Sequence, residues 1–256
     1  MSKLLSKLER ISRGSSTPLG FGAASRIEKT PSMALVGLLT QNYSQGVSRL
    51  VKVDADGALF AGEDPDAKIA GSAGNLKEVP WGIRANELDS DRANRLIDEG
   101  CDFFVTRPET IMLDAIMDDK AAYLLSLPPG AEESLLRTIE DLPVDAVYMS
   151  LNPWESRLTL EHLINISSAR TMFDKYLLVE VPATLSYKEL ESLRDVGVDA
   201  LVVDAGRSSE KVLTSLKEKL FSLPRQRKSR SEKLSAFIPQ GVHSQLASTQ
   251  EEDDED

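Results

Sequence analysis

Cysteine and histidine are almost missing from this chain. Of its 256 residues one is cysteine, Cys101, and two are histidine, His162 and His243. A single thiol permits no intrachain disulfide, which excludes a secreted scaffold held by bridges. The cysteine is far from both histidines, so no His/Cys zinc pattern exists. No apolar run reaches the length of a membrane span. The opening MSKLLSKLERISR lacks the continuous apolar core of a secretory leader, and the expected location is the cytoplasm. Acidic residues outnumber basic ones, 41 to 30. The net charge is −11, and setting aside the six acids at 251–256 leaves −5. An acidic body offers nucleic acid few phosphate contacts, so no nucleic-acid partner is expected.

Several catalytic signatures are missing too. There is no P-loop and no GxSxG elbow. No strand-like run ends in Lys, so no Schiff-base lysine of the usual barrel kind is in view. The GFGAAS at 20–25 is not a dinucleotide fingerprint, because no strand precedes it and its last Gly is absent. Cys101 precedes a strand and reads as a buried apolar residue.

Apolar residues make up 41% of the chain, enough for a substantial core. The stretch 176–207, YLLVEVPATLSYKELESLRDVGVDALVVDAGR, contains a complete strand–helix–strand unit. Its first apolar run, 176–181, is stopped by Pro182. Ser186 and Glu189 form a capping box, Leu190, Leu193 and Val196 recur at helical spacing, and Gly197 ends the helix. A second apolar run follows at 200–203. Two strands joined by one helix pair in parallel with a right-handed crossover.

The same plan recurs along the chain. Apolar runs at 34–39, 57–61, 83–85, 102–106, 121–125 and 146–150 predict six earlier strands. Between them, helical patterns are expected around 47–51, 67–76, 90–97, 111–116, 135–139 and 158–173. A last helix carries Val212, Leu213, Leu216 and Leu220 and ends before Pro224. EGCDFFV, LPVDAVY and VGVDALV share a helix end, an Asp and a strand. Eight strands in a chain of this length predict a (β/α)8 barrel over 1–223. A doubly wound sheet is the alternative, but the turn after the first strand reads LLTQNYS, without the expected glycines. Residues 2–12 form an amphipathic helix with Leu4, Leu5, Leu8 and Ile11 on one face. That face either plugs the barrel bottom, packs on a partner chain or touches a membrane. Residues 224–256 pass from basic to polar to acidic and are expected to be a disordered tail.

A barrel of this kind places chemistry at the C-terminal ends of its strands. The candidates there include Thr40, Gln41, Glu63, Asp64, Arg84, Asn86, Thr106, Arg107, Glu109, Ser126, Ser150, Asn152, Glu180, Asp204 and Arg207. Asp102, Asp145 and Asp199 precede their strands and read as structural. Glu180 interrupts an apolar run, LLVEVP. Facing inward, it suits a general base or a cation ligand, with Asp204 as the second catalytic candidate. It reads equally as half of a pair with an arginine. Arg84 and Arg107, on adjacent strands, can clamp a carboxylate or phosphate, with Gln41, Asn86 and Asn152 as further substrate contacts. The alternative is a salt bridge to Glu63, Glu109 or Glu180. Gly206, Arg207, Ser208 and Ser209 open the last helix, where barrels often hold a phosphate.

GIRANELDSDRANRLIDEGCDFFVTRPET and LLVEVPATLSYKELESLRDVGVDALVVD together resemble the class II pyruvate aldolase and citrate-lyase beta-chain family. The resemblance implies a barrel in which Arg84 holds a substrate carboxylate and Glu180 binds a divalent metal such as Mg. The chain departs from that pattern at Val181, where the family has Thr, and at 205–207, where it has a metal-binding Asp. The expected function is binding of a small anionic metabolite by a barrel, with lyase-like, aldolase-like or isomerase-like chemistry. The alternative is a barrel without catalysis that acts as a scaffold or regulatory partner. A homo-oligomer is compatible with either.

Overall fold

The computed structural model describes residues 1–14, 30–62, 66–116, 120–151 and 157–224. Eight parallel strands close into a barrel in chain order. They are β1 (Ala34–Leu39), β2 (Gly57–Phe60), β3 (Trp81–Arg84), β4 (Phe103–Thr106), β5 (Ala122–Leu127), β6 (Ala146–Ser150), β7 (Tyr176–Glu180) and β8 (Ala200–Asp204). Closure is direct: Val36 of β1 pairs with Gly57 on one side and with Val202 of β8 on the other. The helices are α1 (Lys3–Arg13), α2 (Tyr43–Lys52), α3 (Asp66–Ala73), α4 (Ser90–Asp98), α5 (Glu133–Thr138), α6 (Leu160–Arg170), α7 (Tyr187–Asp195) and α8 (Glu210–Ser222).

Alternation along the strands divides the core in two. Leu35, Leu39, Phe60, Ile83, Phe104, Val147, Val179 and Leu201 face the helices. Val36, Leu38, Leu59, Phe103, Val105, Leu124, Tyr148, Leu178 and Val202 fill the barrel. Gly82 also faces inward. A Cβ there would lie 2.1 Å from the Phe103 carbonyl oxygen and 2.4 Å from its ring, so the missing side chain is what admits Phe103.

Helix α1 settles the reading of its apolar face. Leu4, Leu8 and Ile11 are buried among the interior residues at the strand starts, so α1 plugs the barrel bottom. Asp102 holds it there. Its carboxylate accepts from the Ser2 hydroxyl and the Lys3 amide, both at 2.7 Å, and from the Leu4 amide at 2.8 Å. Three other aspartates that precede strands share a different device. Asp56, Asp145 and Asp199 accept from the amides of Leu35, Tyr123 and Leu177 on the preceding strand, at 2.8, 2.8 and 3.0 Å. Each also donates its own amide to that residue's carbonyl. Lys217 of α8 closes on Asp56 at 2.6 Å, and both side chains are buried.

The expected elements hold, most with ends moved by a few residues, and one changes type. The helix predicted around Ile111–Ile116 is a 3-10 turn, Leu113–Ile116, and Ile111 instead bridges to Leu88. By sequence Ser90 reads as the cap of α4, but the N-cap is Asp89, which accepts from the Arg92 amide at 2.8 Å, and Ser90 is the first helical residue. The sixth connecting helix runs over Leu160–Arg170 and not 158–173. The capping box of α7 forms as read: the Ser186 hydroxyl accepts from the Glu189 amide, and the Glu189 carboxylate accepts from the Ser186 amide. Among the described residues no helix is long and apolar enough to cross a membrane. The expected tail, 224–256, lies outside the described residues from 225 onward.

Candidate functional site

Three inward side chains meet at the C-terminal mouth of the barrel: Arg84 at the end of β3, Tyr148 in β6 and Glu180 at the end of β7. Tyr148 is in register with Leu178, two residues below Glu180, and the length of the phenol closes that step. The Tyr148 hydroxyl donates to Glu180 Oε2. Arg84 Nη2 donates to the same carboxylate oxygen at 3.0 Å and also to the Tyr148 hydroxyl. The guanidinium carbon stands 4.9 Å from the centroid of the Tyr148 ring, within cation–π range. Glu180 is 4% exposed, so an unpaired charge there would be costly. The two donors offset that cost, and the reading of Glu180 as half of an arginine pair is the one realised, with Arg84.

Burial pushes the Tyr148 hydroxyl far above a free phenol's range. The Arg84 charge opposes this and the Glu180 charge adds to it. The phenol therefore remains a neutral donor, with its proton directed at Glu180. Arg84 differs from its partners in reaching outward, with 34% of its side-chain surface exposed. Its Nε is nevertheless buried and has no hydrogen-bond partner among the described residues.

The other expected contacts are dispersed. Gln41 and Asn86 lie exposed on loops beyond β1 and β3. Arg107 is exposed beyond β4, with its backbone tied in a turn to Thr110, so it does not share the anchoring of Arg84. Thr106 is buried and, next to interior Val105, points away from the barrel interior. Glu63, Asp64 and Asn152 lie outside the described residues. Asp204, two residues beyond interior Val202, is half-buried at the mouth. It accepts from the Arg207 amide at 2.9 Å and lies 3.5 Å from Arg207 Nε. Ser209 caps α8, its hydroxyl accepting from the Val212 amide at 3.4 Å.

The donor set at Glu180 does not suit a divalent cation. The carboxylate oxygen already receives two donors, one of them a guanidinium. Among the described residues no group of three or more His, Cys, Asp or Glu side chains is placed to hold a metal. Sequence reasoning missed Tyr148. The signal was its place two residues before Ser150, since by the period of two both face the mouth, and a phenol inside a barrel needs a partner.

Closed strand order, the α1 plug and a polar cluster at the mouth define a (β/α)8 barrel. Solved structures agree. The chain is similar to a mutant tryptophan synthase alpha-subunit from the hyperthermophile Pyrococcus furiosus, with TM-score 0.55 and 13% identity over 74% of this chain and 97% of that one. Another structure of a mutant alpha-subunit gives TM-score 0.54 at 13% identity, over 75% and 99%. A cube-shaped protein cage designed by fusing symmetric oligomeric domains gives 0.51 at 12%, over 73% and 70%. At these identities the likeness establishes the fold alone. No protein-family model matches the chain, and no curated protein sequence does.

Proposed function

We propose that this barrel binds a small oxyanion of a metabolite at its mouth, with Arg84 as the anchoring group. One observation carries the reading: a guanidinium held from behind by Glu180 and Tyr148 and partly open to solvent. That solvent-facing part of the guanidinium is what a ligand oxygen can reach. Guanidinium geometry matches carboxylate and phosphate, and anchoring lowers the entropy lost on binding. Glu180 acts here as a positioning residue, because its carboxylate is engaged by Arg84 and Tyr148. The resemblance to class II pyruvate aldolases supports the role of Arg84 at a carboxylate. It lends no support to a metal at Glu180, whose described surroundings lack further ligands. Lyase-like or isomerase-like chemistry remains part of the proposal, with Asp204 a further acid at the mouth among the described residues. The scaffold reading draws on one observation, the closure of the Arg84–Tyr148–Glu180 cluster on itself.

A thermal-shift screen of small carboxylates, sugar phosphates, flavin and divalent metals tests the proposal. A ligand at ~100 times its dissociation constant stabilises by about 2.7 kcal/mol. In a barrel of this size that raises Tm by roughly 5–10 °C. The shift should vanish in Arg84→Ala and persist in weakened form in Arg84→Lys. Silence across all anions would favour the scaffold.

A further inference from the structure

Helix α6 differs from its neighbour α7 in what it shows to solvent. Five of the nine residues of α7 are charged, against two of the eleven in α6. Neither of those two occupies the middle of the outer face of α6. Arg170 turns inward, its Nη1 donating to the Lys175 carbonyl at 2.6 Å, and Glu161 lies about 100° around the helix from Leu160. On the inner side Ile166 and Ala169 are buried. On the outer side Leu160 is 73% exposed and Ile164 55%. Ser167, Ser168 and Thr171 continue the same face at helical spacing, and all three are exposed. Single exposed leucines are ordinary on a protein surface. Two bulky apolar residues one turn apart, on a face whose middle carries no charge, form a contact surface.

That face is self-complementary. Its first half is large and its second half is small. Antiparallel packing of two copies sets the large half of each on the small half of the other, as a twofold interface requires. With the axis between Asn165 and Ile166, Ile164 meets the partner's Ser167 and Leu160 meets the partner's Thr171. The small side chains let the helix axes approach to about 8 Å, the close end of the usual range. Thr171 brings no free donor into the contact, because its hydroxyl donates to the Ser168 carbonyl at 2.8 Å. Charge fits the same register. Exposed Arg157 precedes α6 and exposed Asp174 follows it, so each Arg157 comes to the end of the contact where the partner's Asp174 lies. Arg157 is also within electrostatic reach of Glu189 in its own copy. The opposed helix dipoles add to the match.

We infer that two copies of this chain associate through α6, antiparallel about a twofold axis beside Asn165. The area sets the strength. Eleven residues span about 16 Å, and one helix pair of that length covers less than the ~800 Å² per partner of a stable interface. The dimer is weak and forms as concentration rises. It is independent of the anion site at Arg84.

Sedimentation equilibrium of the full chain at physiological salt tests it. The weight-average mass should rise from monomer toward dimer between about 5 and about 500 µM, with a dissociation constant on the order of 100 µM. Ile164→Lys sets an ammonium in the centre of the contact and should leave monomer throughout. Its urea midpoint should match the wild type, since Ile164 is exposed. Arg157→Glu should weaken the dimer by about threefold or more, and adding Asp174→Arg to it should restore the affinity. Wild-type protein that stays monomeric at every concentration would overturn the inference. So would a dimer that survives Ile164→Lys, because the contact would then lie elsewhere. Charge exchange without recovery would overturn the antiparallel arrangement.

Discussion

Asp56→Ala is expected to destabilise the protein by about 3–5 kcal/mol, the range for breaking a buried ion pair from one side. Lys217 Nζ lies 2.6 Å from Asp56 Oδ2, and both side chains are buried. The substitution leaves an ammonium in the space between α8 and the strand starts. It also strips the Leu35 amide of the carboxylate it donates to at 2.8 Å. Lys217→Met should cost less, because Asp56 keeps the Leu35 amide as a donor and the methionine fills the volume. Urea unfolding of the two single variants and the double variant gives the coupling between them. A loss under about 1 kcal/mol in Asp56→Ala would mean that the pair is solvated and contributes little.

Glu180→Gln should destabilise by about 2 kcal/mol. A fully buried pair would cost about 3–5 kcal/mol when broken. Two features lower the figure here. Arg84 keeps a third of its side-chain surface in contact with solvent, with 34% exposed, so its stranded charge is partly hydrated. Glutamine also retains an oxygen that can accept from the Tyr148 hydroxyl. The fold should survive, and denaturant midpoints should fall without a change in slope. A gain in stability would show that the carboxylate is a desolvated charge without effective partners.

The strands were legible because buried parallel strands read as unbroken apolar runs, as ALVGLL, AVYMS and YLLVE do here. Helix ends were legible where a cap or a glycine marks them, as at Ser186 and at Gly197 with φ 89°. Residues 111–116 misled because Ile111, Met112, Ala115 and Ile116 have helical spacing over barely two turns. A bridge to Leu88 and a short 3-10 turn satisfy the same spacing. Lys217 and Asp56 are 161 residues apart, and nothing local marks either as the partner of the other.

The site divides in the same way. Glu180 announces itself as one charge in an apolar strand, and Arg84 as a charge at a strand end. Their meeting depends on barrel closure across β3, β6 and β7. Tyr148 stayed hidden because a tyrosine in an apolar strand is ordinarily core, and only the register shows its hydroxyl reaching Glu180. At the turn 204–209, the Arg207 amide donates to Asp204 and the carbonyls of Ala205 and Gly206 accept from Arg49, a residue of α2, a tie that nothing local in the sequence marks.

Arg84 is proposed to meet a ligand oxyanion with the solvent-facing part of its guanidinium, and the buried Nε–H of the same group reports on that contact. The most direct measurement is the Arg84 Nε–H resonance in 15N-arginine-labelled protein, assigned by its loss in Arg84→Lys and followed as lactate is added. The expected result is a saturable downfield shift and slowed solvent exchange at this resonance, with the Arg49 Nε–H unmoved. A ligand that binds by calorimetry and leaves the Arg84 Nε–H unshifted would contradict it.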